Sequence, residues 1–167
     1  MSTAVDTSGA EALVRTLAAS VPGGTVLYAC ANDRATLVAA LAGADITTHV
    51  LALCEHTASA AQIRDGVSDD LRLSVHVQEL ASFLTDIAAH RFAFIVVGPD
   101  AAAQVQNLGN LLEPGGLMLA LASVSMLNAA PELEICRLQG DGLSWLATKR
   151  ARSQPKRRGG RGRPNSG

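Results

Sequence analysis

The feature that most constrains this chain is an alternation. Short apolar runs at residues 25–29, 49–53, 71–77, 92–97 and 117–122 are separated by Ala- and Leu-rich stretches of helical character at 35–41, 58–64, 80–90 and 101–112. The runs are continuous in their apolar residues, as in Phe92-Ala93-Phe94-Ile95-Val96-Val97. A sheet with one wet face would instead alternate apolar and polar positions. A strand that is apolar on both sides needs cover on both, and a helix between each pair of successive strands supplies it. A parallel, doubly wound sheet follows. A further helix is expected over 10–20, where Leu13, Val14 and Leu17 share a face ahead of Pro22-Gly23-Gly24. After the fifth run the period changes: residues 132–138 and 143–148 flank the turn Gln139-Gly140-Asp141-Gly142, a hairpin signal. The expected fold is α/β, a seven-stranded, Rossmann-like doubly wound sheet whose strands six and seven form an antiparallel hairpin.

A length of 167 residues with 48% hydrophobic and 17% charged residues supports one core, and aromatics at 3% leave its filling to Ala, Leu and Val. The net charge of −1 conceals a split. Residues 1–148 hold six Lys/Arg against all 15 Asp/Glu, a net of −9, while 149–167 hold eight cations and no acid. Three segments are therefore expected: a flexible N-terminus at 1–9, a folded domain at 10–148, and a disordered Arg/Gly/Pro-rich tail at 149–167. The tail cations Lys149, Arg150, Arg152, Lys156, Arg157, Arg158, Arg161 and Arg163 suit the phosphates of a nucleic acid or an acidic protein surface. No aromatic residue is interleaved for base stacking, and nuclear targeting, anionic-membrane contact and solubility remain alternatives. Cys30, Cys54 and Cys136 are widely spaced among apolar residues and read as buried free thiols. With no secretory signal and no stretch long enough to span a bilayer, an intracellular, soluble protein is expected.

The segment 91–100, Arg-Phe-Ala-Phe-Ile-Val-Val-Gly-Pro-Asp, is followed at 108–119 by Leu-Gly-Asn-Leu-Leu-Glu-Pro-Gly-Gly-Leu-Met-Leu. Together with the order of elements and the closing hairpin, these resemble the class I S-adenosylmethionine-dependent methyltransferases. The first is similar to their fourth strand; the second is similar to their leucine-rich helix ending in a Pro-Gly-Gly turn into strand five. The resemblance runs from about Val21 to Lys149. It implies a site beyond the carboxyl ends of the strands, S-adenosylmethionine as cofactor, and Tyr28, Cys30, Asn32, Glu55, Glu79 and Gly98 as the contacting positions. Glu55 follows strand two, where the family places the acid that accepts from the ribose hydroxyls; one carboxylate serves both hydroxyls of a vicinal diol. Glu79 follows strand three, where an acid often accepts from the adenine amino group. A solvated loop glutamate and a helix first-turn acid are the bland alternatives for the two.

The departures matter as much. The family's first loop is glycine-rich so that backbone can approach the cofactor, yet Tyr28-Ala29-Cys30-Ala31-Asn32-Asp33-Arg34 contains no glycine, and Tyr28 stands where an acid is usual. A cleft narrowed by Tyr28, Asn32 or Arg34 is expected. Val26-Leu27-Tyr28-Ala29-Cys30-Ala31 is also similar to a variant seen in RNA cytosine methyltransferases, but no Pro-Cys pair follows strand four and that narrower assignment fails. Gly98-Pro99-Asp100 lacks the first carboxylate of an Asp-Pro-Pro loop, and Asp100 reads as the N-cap of helix 101–112. His49, His56, His76 and His90 show no metal spacing, and only His56 falls in a loop at the expected cleft. No P-loop, no Gly-x-Gly-x-x-Gly and no serine elbow around Ser123 or Ser125 is present. No catalytic residue and no metal ligand is assigned. Two readings stand: a methyltransferase with an eroded cofactor loop, and a non-catalytic protein of the same fold that works as a partner or RNA-associated module.

Overall fold

Phe94 and Val96 point to one side of the central strand, Ile95 and Val97 to the other, and this parity divides the interior into two cores. The computed structural model describes residues 7–87, 89–120, 133–138 and 145–150. Its sheet contains β1 (Thr25–Ala29), β2 (His49–Cys54), β3 (Leu73–Val77), β4 (Phe92–Val97), β5 (Leu112–Ala120), β6 (Leu133–Leu138) and β7 (Trp145–Lys149). The strands lie in the order β3-β2-β1-β4-β5-β7-β6. The first five are mutually parallel, and β7 runs antiparallel to both β5 and β6. Helices α1 (Thr7–Ala19), α2 (Arg34–Gly43) and α3 (Thr57–Arg64) cover one face through Val14, Leu17, Leu37, Ala40, Ala60 and Ile63. Helices α4 (Leu80–Asp86) and α5 (Val105–Asn110) cover the other through Leu80, Phe83, Val105 and Leu108. The doubly wound sheet and antiparallel sixth and seventh strands are as the alternation predicts.

Several boundaries differ. Helix 101–112 resolves into a 3-10 turn, Pro99–Gln104, followed by the short α5. Asn107, Gly109 and Asn110 are weak helix formers and end it early. Gly98, not Asp100, is the cap residue of the 3-10 turn, with Pro99 in its first position; Asp100 lies within that first turn and its carboxylate is exposed. Helix α4 stops at Asp86, so His90 lies beyond it. The Pro-Gly-Gly segment is not a turn ahead of strand five but an irregularity inside it: Phe92 pairs with Leu112 while Phe94 pairs with Leu117. Glu113–Gly116 thus forms an outward excursion, with Gly115 at φ +79 providing a bend that a side chain would resist. Strand β7 continues to Lys149, whose ammonium donates to the Leu112 carbonyl at 3.0 Å, and Arg150 lies 3.6 Å from Glu134. Those two cations belong to the sheet end, not to the tail. The hairpin turn 139–142, Ser123, Ser125, residues 1–6, the Cys136 side chain and Arg152, Lys156, Arg157, Arg158, Arg161 and Arg163 lie outside the described set.

Candidate active site at the strand tips

Parallel strands deliver their carboxyl ends to one edge of the sheet, and a short-range hydrogen-bond network ties the four tips there together. The Gly98 N–H donates to the Ala29 carbonyl (3.0 Å), joining β4 to β1. The Ala31 N–H donates to Leu53 (2.7 Å), joining the first loop to β2, and the Gln78 N–H donates to Cys54 (2.9 Å), joining β2 to β3. Glu55, directly after β2, accepts from the Leu80 N–H at 3.3 Å and so fills an otherwise orphan donor at the start of α4. Asp33 does the same for α2, accepting from the Ala35 N–H at 3.1 Å and the Thr36 hydroxyl at 2.8 Å.

Cys30 is the pivot of the first loop. At φ +53 it is the one non-glycine residue with positive φ among the described residues. The left-handed backbone for which the loop's glycines would be chosen is therefore kept without a glycine, at a cost of about 1–2 kcal/mol. This conformation turns the Cys30 carbonyl toward Gly98. A Cβ built on Gly98 would stand 2.7 Å from the Cys30 oxygen and 2.9 Å from that of Ala29, so only glycine fits between the tips. The thiol is 4% exposed and stands beside Glu55 and Asp100. Burial first, then the Glu55 carboxylate and the Asp100 charge, push it up to about 12. Burial likewise raises Cys54, whose Sγ lies 3.5 Å from the Ala31 carbonyl. Both are free thiols, as the spacing of the cysteines predicts.

Of the six positions named from the sequence, Cys30, Glu55 and Gly98 are brought together at the tips, and Glu79, the cap residue of α4, stands beside the Glu55–Leu80 contact. Glu79 makes no side-chain capping bond, since Glu55 supplies that contact. Tyr28 goes elsewhere. Its side chain is fully buried in the core beneath α1, α2 and α3, and its phenol, 3.5 Å from the Asn32 carboxamide oxygen, is pushed up to about 12 by burial. Arg34 turns away too, donating from Nε to the Asp65 carbonyl at 2.6 Å. The narrowing expected from Tyr28 and Arg34 is thus not found; strand parity sends the first into the core, and a carbonyl partner draws the second to the loop after α3. Asn32 is exposed. Cys30 is the residue whose importance sequence reasoning understated, because nothing in an Ala-Cys-Ala string announces a positive φ. Among the described residues no group of three or more His, Cys, Asp or Glu side chains is arranged to hold a metal, and no helix is long and apolar enough to cross a membrane.

The fold is that of the class I S-adenosylmethionine-dependent methyltransferases. Over 86% of this chain and 81% of the other, it superposes on an O-methyltransferase of Bacillus cereus crystallised with S-adenosylhomocysteine, with a TM-score of 0.70 at 13% identity. A Thermotoga maritima SAM-dependent O-methyltransferase matches with a TM-score of 0.65 at 10% identity, over 88% of this chain and 67% of that one. A Streptococcus mutans protein assigned to the SAM-dependent methyltransferases matches with a TM-score of 0.69 at 14% identity, and there the 86% of this chain that aligns spans 49% of the longer protein. The chain thus spans about half the length of that neighbour. No model of a known protein family matches the sequence, and no curated protein does either.

Proposed function

We propose that this chain is a methyltransferase-like protein that takes S-adenosylmethionine across the tips of β1, β2, β3 and β4. The observation that carries the reading is the first loop itself: Cys30 holds a left-handed conformation at φ +53, locked against Gly98, in a chain with no glycine there to favour it. A backbone strained in this way persists only where the surroundings over-determine it, and such positions gather at ligand sites. Neighbours of the same fold carry the cofactor or its demethylated product.

The residues present fit that cofactor. Glu55 is exposed, and with one oxygen fixed by Leu80 N–H its carboxylate is held ready to accept from ribose hydroxyls. Glu79, exposed and without a capping bond, is free of that duty to accept from an adenine amino group. Cys30, Asn32 and Gly98 would flank the methionine portion, and the charges of Glu55 and Asp100 around Cys30 favour a cation there. When bound, the cofactor supplies an electrophilic methyl group on a sulfonium centre. The protein's part is then orientation of an acceptor along the line of attack, with the Cys30 thiol protonated and not competing as a nucleophile.

The second reading, a non-catalytic protein of the same fold that works as a partner or RNA-associated module, is favoured by one specific feature. The Cys30 side chain adds a buried sulfur where the loop backbone would otherwise approach the ligand. In both readings residues 10–150 act as one domain, and the cations beyond it attach the protein to nucleic acid. Because β7 runs antiparallel to β5, the chain leaves the sheet beside Leu112, at the end opposite the tips. The tail begins at that end, which suits a tether to nucleic acid.

Calorimetric titration of the full chain with S-adenosylmethionine and S-adenosylhomocysteine tests the proposal. Glu55→Ala should weaken binding about thirty- to hundredfold, from the loss of charge-assisted hydrogen bonds. Cys30→Gly should tighten it. Binding by Cys30→Gly alone establishes the eroded loop; tight binding by the natural chain, unchanged in Cys30→Gly, removes the erosion argument. No heat with either protein refutes the cofactor site.

A further inference from the structure

The β3 edge of the sheet is built without the usual safeguards. Edge strands are commonly blunted by Lys, Pro, a bulge or a covering element, because their free N–H and C=O groups invite another strand. Strand β3, Leu73-Ser74-Val75-His76-Val77, has no Lys, no Asp or Glu, no Pro and a regular register with β2. Arg72 C=O and Gln78 N–H bond toward β2, so the alternation of the backbone turns the polar groups of Leu73, Val75 and Val77 outward. Large aliphatic side chains are left exposed at the last residue of the strand and in the turn before it. Val77 is 43% exposed, and Leu71, just ahead of the strand, is 98% exposed.

This pattern is its own complement under a two-fold rotation. If two copies of β3 pair antiparallel about Val75, each Leu73 falls opposite the other copy's Val77. Residues of one parity point to one face, so Leu73 and Val75, packed on the core, and the exposed Val77 of one copy would continue the apolar layer of the other. On the opposite face each Ser74, whose hydroxyl lies 3.0 Å from its own His49 Nε2, falls opposite the other copy's His76. No like charges oppose each other anywhere in the five-residue register.

We infer that β3 is a dimerisation edge, on which a second copy of this chain pairs antiparallel to continue the sheet. The inference does not depend on the cofactor reading. One contact opposes it. The Arg64 guanidinium, at the end of α3, donates to the outward Val75 carbonyl at 3.3 Å and occupies the centre of the edge. Pairing displaces Arg64 from both copies and substitutes Val75 N–H donors from across the axis. Arg64 is thus a latch that keeps the association weak and concentration-dependent.

That latch gives the test its two directions. Sedimentation velocity of the full chain over a concentration series should show reversible monomer–dimer exchange. Arg64→Ala should tighten the dimer about five- to thirtyfold, since two exposed hydrogen bonds no longer compete. Val77→Lys, at an exposed position the fold tolerates, should abolish it by placing a cation against the other copy's Leu73. Amide exchange should show Val75 and Val77 N–H protected only at the higher concentrations. A monomer throughout, in both the natural chain and Arg64→Ala, overturns the inference. A dimer indifferent to Val77→Lys overturns it equally, because it would then use another face.

Discussion

Replacing Gly98 by alanine tests the joint between β1 and β4 on which the proposed site rests. The backbone at Gly98, φ −66 and ψ 160, suits any residue, so the substitution imposes no conformational strain. On that ground alone it should stabilise, by about 0.4–1 kcal/mol from the reduced freedom of the unfolded chain. Sterics oppose this. The new methyl group would lie 2.7 Å from the Cys30 carbonyl oxygen and 2.9 Å from that of Ala29, and both are backbone atoms that cannot rotate aside. Relief requires the β4 tip to withdraw, stretching the 3.0 Å bond from the Gly98 N–H to Ala29. Overpacking of this kind costs about 1–3 kcal/mol, which leaves a net destabilisation of about 1–2 kcal/mol. For a chain of this size that is about 2–8 °C in melting temperature. Differential scanning calorimetry of the variant reads it directly. Combining Gly98→Ala with Cys30→Gly supplies an internal check. A glycine at 30 lets the obstructing carbonyl swing, so the double variant should lose less than the sum of the singles. A melting temperature equal to or above that of the natural chain would refute the close-approach argument, and additive losses would refute the role of Cys30 in it.

The remaining predictions are of different kinds. With Cys30 pushed up to about 12 from an ordinary 9.0, its alkylation by iodoacetamide at pH 8 should be at least about thirtyfold slower in the folded protein than in denaturant, read by mass spectrometry of the peptide. The same upward shift gives the folded state a contribution to stability that is complete below pH 9 and lost as pH rises toward 12; a urea midpoint flat across that range would contradict it. Asp33→Ala removes the cap of α2 and leaves the buried Thr36 hydroxyl without that acceptor, and it should cost about 1–2 kcal/mol in chemical denaturation. Ending the chain at Arg150 should leave stability unchanged and abolish any nucleic-acid binding, while full-length binding should fall steeply with salt; filter binding that is equal for both forms, or indifferent to salt, would dissociate the tail from that role.

Much of the architecture is legible in the amino-acid order because burial on both faces of a strand leaves a continuous apolar signature. The run Phe92–Val97 could be nothing other than a central strand, and its parity already assigns Phe94 and Ile95 to opposite cores. Local chemistry also places Glu55 and Gly98 at strand ends, since both follow such runs at once. What the order of residues could not express is decided by contacts between segments distant along the chain. Cys30 holds its positive φ with its carbonyl beside Gly98, sixty-eight positions later, and no local propensity of cysteine encodes it. Tyr28 reads as a contacting position because it stands near the end of β1; the parity of β1 against the helices above it turns the ring into the core. Asp100 reads as a cap, but Pro99 begins the 3-10 turn one residue earlier and makes Gly98 the cap instead. Lys149 and Arg150 read as tail by charge alone, while the pairing of β7 with β6 draws Lys149 into the sheet and sets Arg150 3.6 Å from Glu134. Sequence determines which segments must be buried, because hydrophobicity is a property of each residue. Which residue takes a positive φ and which carboxylate reaches the start of α4 are properties of juxtaposition, and only the assembled sheet supplies them.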